Sequence, residues 1–279
     1  MHKFTLELLF QIIGIGSASG LINKENSLYI ISDNSSAIYE YKMEGETLKS
    51  YPIIENKNAQ ENIPKKIKPD FESIAVYGDD CYIFGSGSTE NRNKMIQFST
   101  SKKEKIKETD LTNLYAVMQN FSKIKSEDFN IEGAIYTGEK WFLFNRGNGA
   151  SGKNGIFTIG GNNLTDDFSV LYNQFALPKI KGIQSSFTDA VLVRDKIYFL
   201  ATVENTASTY EDGIVYGTFL GRLDLEKMKI DFTQKISDKQ KFEGLSVKLE
   251  EEKSIEFYLC EDNDTETLES NIYMLTISK

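Results

Sequence analysis

DFESIAVYGDDCYIFGSGS, residues 70–88, carries one acidic side chain beside a small and an apolar residue, with an aromatic-rich apolar run after them. Its opening triplet, Glu72-Ser73-Ile74, has counterparts at Ser19-Gly20-Leu21, Glu132-Gly133-Ala134, Asp189-Ala190-Val191 and Glu243-Gly244-Leu245. Successive copies lie 53, 60, 57 and 54 residues apart, so the period nearly fills the 279-residue chain. Self-similarity on this scale marks repeated supersecondary units.

The residues after each triplet keep the same period. The run Cys81-Tyr82-Ile83-Phe84 is matched by Leu28-Tyr29-Ile30-Ile31, Trp141-Phe142-Leu143-Phe144 and Ile197-Tyr198-Phe199-Leu200. A fifth, Phe257-Tyr258-Leu259-Cys260, is displaced by the charged insertion Glu250-Glu251-Glu252-Lys253. Short β-branched and aromatic runs bounded by Asn, Asp, Gly or Ser read as doubly buried strands. A second strand comes after each, as in Met95-Ile96-Gln97-Phe98, and then a more polar outer strand, as in Lys229-Ile230-Asp231-Phe232. Four strands per unit, radially repeated, describe an all-β fold, a five-bladed β-propeller of four-stranded antiparallel blades.

The ends of the chain fit together. The fifth unit stops at Ser278-Lys279 without an outer strand, while Phe4–Ile12 is a spare strand-like run ahead of the first unit. Pairing the two closes the ring and leaves no long free edge there. One domain over residues 1–279 is expected, with blades near 14–56, 66–112, 126–178, 183–237 and 238–279 plus 3–13. The competing reading places a sixth, irregular blade around residues 111–125.

Composition narrows the function. The net charge of −9 disfavours binding to a nucleic acid backbone. No apolar stretch reaches the length of a membrane span. The N-terminal run has the form of a secretory signal, but Glu7 interrupts it, and cleavage near Ser17-Ala18-Ser19 would remove the closing strand. A retained strand is preferred. Cys81 and Cys260 fall in equivalent strands and give no disulfide framework, so a cytoplasmic monomer is expected, an exported protein being the alternative. The single histidine, His2, is terminal, which excludes Ser-His-Asp and histidine-zinc chemistry.

In a propeller the innermost strands line a narrow axial channel, so equivalent positions converge. Ser19, Glu72, Glu132, Asp189 and Glu243 would meet there. Four like charges at short range require raised pKa values or a bound cation. An all-oxygen set suits Ca²⁺ better than octahedral Mg²⁺. The competing arrangement has the acids accepting backbone N–H bonds around ordered water.

This Ser/Glu/Glu/Asp/Glu order resembles the axial calcium ring of the five-bladed apyrases, the calcium-activated nucleotidases, with Asp189 departing from the serine of that pattern. The segments SDNSSAIYEY, DFESIAVYGDDCYIFGSGS, IEGAIYTGEKWFLFNRGNG and FEGLSV resemble an uncharacterised bacterial propeller family related to phytase-like and esterase-like propellers. The resemblance implies a calcium ring; no segment matches the nucleotidases' substrate loops.

Above the ring, the apolar runs end at Asp33, Ser86, Arg146, Thr202 and Asp262, with Asn34, Ser88, Asn145, Glu204, Glu261 and Arg92 nearby. Such a mouth would take a small anionic or polyhydroxylated ligand. Arg146 and Arg92 would act as anion clamps, with Asn145, Ser86 and Asp262 as further contacts. Arg146, Asp33 and Glu204 are the catalytic candidates if the mouth hydrolyses a phosphoester or ester. The plainer alternative makes these residues turn formers and pairs Arg146 with Asp33 or Glu132. Gly14-x-Gly16 lacks the helix that a phosphate loop needs next. Asp262-x-Asp264-x-Glu266 lacks the glycine of a calcium loop. Residues 204–213 are long enough to lean over the mouth. Three readings stay open: a calcium-assisted hydrolase, a non-catalytic binding propeller with a structural cation, and an interaction scaffold.

Overall fold

The computed structural model describes residues 3–55, 61–161, 163–209, 213–263 and 267–279. His2, Asp264–Glu266 of the acidic run and Tyr210–Asp212 of the long loop lie outside them. Strand β1 (Phe4–Ile13) precedes blade one, which contains β2 (Ala18–Lys24), β3 (Ser27–Ser32), β4 (Ala37–Lys42) and β5 (Thr47–Pro52). Blade two comprises β6 (Phe71–Tyr77), β7 (Asp80–Gly85), β8 (Lys94–Ser99) and β9 (Glu104–Asp110), and leads into α1 (Thr112–Ser122). Blade three comprises β10 (Ile131–Tyr136), β11 (Lys140–Asn145), β12 (Asn154–Gly160) and β13 (Ser169–Phe175). A small hairpin, β14 (Lys179–Ile180) and β15 (Ile183–Gln184), leads into blade four: β16 (Ser186–Val193), β17 (Lys196–Asn205), β18 (Ile214–Asp224) and β19 (Lys229–Ser237). Blade five adds β20 (Phe242–Glu250), β21 (Ser254–Glu261) and β22 (Glu269–Ser278).

Each blade is a four-stranded antiparallel sheet, and β1 supplies the outer strand of the last one. Phe4 stands opposite Ile277 and Ile13 opposite Glu269, so the first and last strands close the ring by main-chain pairing. The aromatic runs sit on the second strands because these are covered on both faces by neighbouring blades. Phe84, Phe144, Phe199 and Phe257 are fully buried. Burying such a side chain contributes roughly 1.5–3 kcal/mol.

The segment offered as a sixth blade is the helix α1. Leu114, Tyr115 and Met118 are buried and recur at helical spacing. They fill the space between blades two and three, against Phe84, Phe129 and Phe157. Asp110 Oδ1 accepts the Thr112 N–H at the start of the helix, and the Tyr115 hydroxyl donates to the Gly85 carbonyl at 2.8 Å. Cys81 and Cys260 are buried free thiols in β7 and β21.

Candidate functional site

All five innermost strands share one irregularity. In β2, β6, β10, β16 and β20 the register slips by a residue near the start, leaving one extra residue bulged out of the ladder. A bulge re-aims a side chain that regular pleating would bury between blades. The bulged residues are Ser19, Glu72, Glu132, Thr188 and Glu243. Thr188, rather than Asp189, thus holds the fourth equivalent position, because Asp189 pairs regularly with Leu200 just after the bulge.

Asp189 has a different task. It occupies the place taken by Gly20, Ser73, Gly133 and Gly244 in the other blades, where the chain passes close to the next inner strand. A Cβ on Gly244 would lie 2.7 Å from Leu21 Cδ2 and 3.0 Å from the Leu21 nitrogen. Asp189 uses that closeness: its carboxylate accepts the Ala190 N–H at 2.7 Å and the Leu245 N–H of blade five at 2.6 Å. This is the backbone-capping arrangement, realised at one position.

The two hydroxyls of the ring act alike. Ser19 Oγ donates to the Phe71 carbonyl at 2.5 Å, and Thr188 Oγ1 donates to the Phe242 carbonyl at 2.7 Å. Each bond joins one blade to the residue just before the next blade's glutamate. Because each hydroxyl spends its proton on that carbonyl, its lone pairs stay available to a cation.

The ladder register brings the ends of the second strands beside the ring. Asp33, Ser86, Arg146 and Asp262 donate their N–H groups to the carbonyls of Ser17, Asp70, Asn130 and Lys241, two residues before each bulge. This juxtaposition supplies residues that sequence reading passed over. Lys68 bridges Asp33 and Asp70, lying 2.8 Å from the latter. Arg92 Nη1 is 2.7 Å from Asp70, and Ser86 Oγ donates to the same carboxylate. Lys241 lies 2.8 Å from Asp262 and 3.1 Å from Glu243. A polar residue two places before each bulge, as in Asp70, Asn130 and Lys241, was the available signal.

Arg146 holds the far side of the axis. Its Nη1 donates to both oxygens of Glu132, at 2.7 and 2.9 Å, and lies 3.5 Å from Glu243. Its Nη2 donates to Glu204 at 2.5 Å. Neither Arg146 nor Arg92 is therefore presented as an anion clamp: both are buried and their terminal nitrogens engage the protein's own acceptors. The expected trio of Arg146, Asp33 and Glu204 does not surround a common open position, since Asp33 pairs with Lys68 while Glu204 accepts from Arg146 and the Gly213 N–H. Asn145 is fully buried and binds the main chain of Asn130, Arg146 and Lys153.

Glu72 differs from every other acid here. Among the described residues none donates a hydrogen bond to its carboxylate or pairs with it. Burial, reinforced by Asp70, Asp33, Glu132 and Glu243, pushes its pKa well above the ordinary carboxylate range. Burial also raises Glu243 and Glu132 despite Lys241 and Arg146, and raises Asp33 despite Lys68. At Asp70 burial is outweighed by Lys68 and Arg92, which hold it below the usual value. Asp33, Asp70 and Glu72 offer oxygens within 4.8 Å of one another, and Asp33 Oδ1 is buried without a partner. The described cluster joins seven carboxylates (Asp33, Asp70, Glu72, Glu132, Glu204, Glu243, Asp262) to four bases (Lys68, Arg92, Arg146, Lys241). The acids exceed the bases by three.

A family model described as a family of unknown function, DUF6929, matches residues 14–277. No curated protein matches the sequence. Among solved structures, Myxococcus xanthus glutaminyl cyclase is similar at 9% identity, covering 98% of this chain and 97% of that chain, with a TM-score of 0.55. A luciferin-regenerating enzyme gives 8% identity, 99% and 97% coverage and a TM-score of 0.49. A DUF4221 member from Bacteroides vulgatus gives 10%, 99% and 97%, with 0.45. At 9% identity the likeness to the glutaminyl cyclase speaks for the fold alone. No helix among the described residues is long and apolar enough to cross a membrane.

Proposed function

The chain therefore belongs to the DUF6929 family, of unknown function, and we propose that it is a cation-binding propeller whose axial oxygens take Ca²⁺ as a structural pin. The observation that carries this reading is the Glu72 carboxylate, which has no partner among the described residues and lies beside the orphaned Asp33 Oδ1 in a cluster whose acids outnumber its bases. Glu72, Asp33 and Asp70 would hold the ion on one side of the axis. Glu132 and Glu243 face them in charge, and Ser19 and Thr188 contribute lone pairs. Carboxylates and hydroxyls without nitrogen or sulfur ligands suit a hard, geometrically tolerant cation. Bound there, Ca²⁺ would supply the positive charge that the four bases leave short.

The non-catalytic reading is favoured over a hydrolase because the mouth's guanidiniums already neutralise carboxylates. Freeing Arg146 for a substrate would strand Glu132 and Glu204 in a buried setting, which costs more than one anion contact returns. Calorimetric titration of EDTA-treated protein with Ca²⁺ tests the proposal. One saturable site with a rise in melting temperature is expected; the absence of both would refute it.

A further inference from the structure

We propose that the end of the axial channel opposite the carboxylates binds a small uncharged apolar molecule, of the size of a single hydrocarbon ring. The inner strands that carry the ring residues change character within two positions. Ile74, Ala134, Ala190 and Leu245 are buried and line a cavity of ≈ 200 Å³, with Ile22 completing the circuit of five blades. Tyr136 stands half-buried at the opening.

Three properties select the ligand class. Among the described residues no charged side chain lines the cavity, so an ion entering it would lose hydration without compensation. The cavity is open at its mouth, and its ≈ 200 Å³ exceeds the roughly 150 Å³ of an apolar cavity that accepts benzene, so the space is sufficient. It is also too small for a partner's helix, which measures roughly 10 Å across with its side chains. The lip is held in place: the Tyr136 ring stacks on Trp141 at 3.9 Å and 11°, and Tyr77 meets it edge-on at 5.2 Å. A preformed apolar cavity spares the ligand the cost of ordering its site. Binding here is independent of the cation, which would sit among the carboxylates at the other mouth.

The test uses the full chain, with isoleucine and leucine methyls labelled, titrated with benzene in EDTA-treated and Ca²⁺-loaded protein. Saturable shifts at the Ile74 and Leu245 methyls are expected in both. Ala190→Leu and Ala134→Leu, which fill the cavity, should weaken the apparent affinity more than tenfold. Crystals of the unaltered protein under xenon pressure should hold xenon in this cavity, a result that needs no variant to fold. Unmoved methyls together with a xenon-free cavity would overturn the proposal. Shifts of unchanged affinity in folded filled variants would overturn it too.

Discussion

Arg146 grips Glu132 through a single nitrogen, Nη1, which meets both carboxylate oxygens at 2.7 and 2.9 Å. The pair lies within blade three, yet Nη2 crosses to Glu204 of blade four and Nη1 approaches Glu243 of blade five. One side chain thus joins three blades at the axis. A cationic residue at this point does part of what a metal would do for Glu132, Glu204 and Glu243, while Glu72 has no hydrogen-bond or ion-pair partner among the described residues.

Removing Arg146 should therefore unfold the protein more readily rather than merely change a ligand contact. Arg146→Met leaves Glu132 and Glu204 buried without their cation, a loss of about 3–5 kcal/mol. Chemical denaturation monitored by circular dichroism measures it. A loss below about 1 kcal/mol, the range of an exposed ion pair, would contradict the account.

Thr188 and Asp189 should separate cleanly. Asp189→Ala deprives the Ala190 and Leu245 N–H groups of their acceptor and should cost about 1–3 kcal/mol, with Ca²⁺ affinity unchanged. Thr188→Val breaks the bond to the Phe242 carbonyl at similar cost and should also weaken Ca²⁺ binding. Denaturation and calorimetry on both variants check the assignment; the opposite pattern would return Asp189 to the ring.

That pair marks where sequence reading stopped. The five-fold period and the closing strand were legible because apolar runs and turn residues repeat with the blades. The ring residue was legible in four blades, where an acid or hydroxyl stands before a small residue. In blade four the small residue is replaced by Asp189, an acid that outranked the neighbouring hydroxyl by chemistry although the bulge selects Thr188 by register. The Arg146–Glu132 pair was legible as the plainer alternative for that arginine, but the reach of Arg146 to Glu204 and Glu243 was not, since an inter-blade ion pair leaves no trace in local spacing. The helix α1 was missed although Leu114, Tyr115 and Met118 recur at helical spacing, because the surrounding repeat suggested another blade.

Acidity should stabilise the metal-free protein over a definite window. Glu72 and Glu243 are raised above the ordinary value of 4.5, so the folded state holds their protons more tightly than the unfolded chain. Stability is then lost as pH rises from about 4.5 through their folded values. Asp70, lowered from 3.8, acts oppositely, and its contribution fades only in stronger acid. Melting temperature of EDTA-treated protein should fall as pH rises above about 4.5, and Ca²⁺ should flatten that fall. A melting temperature that rises across this range without metal would contradict the raised values.

Glu72→Gln isolates the central residue. It removes the unpaired charge while keeping the shape, so the metal-free variant should melt higher than the native protein. The direct measurement is calorimetric titration of Ca²⁺ into EDTA-treated native and Glu72→Gln protein. The account predicts one saturable site in the native chain, weakened about tenfold or more, some 1.4 kcal/mol, in the variant. Equal affinities in the two proteins, or no heat in either, would contradict it.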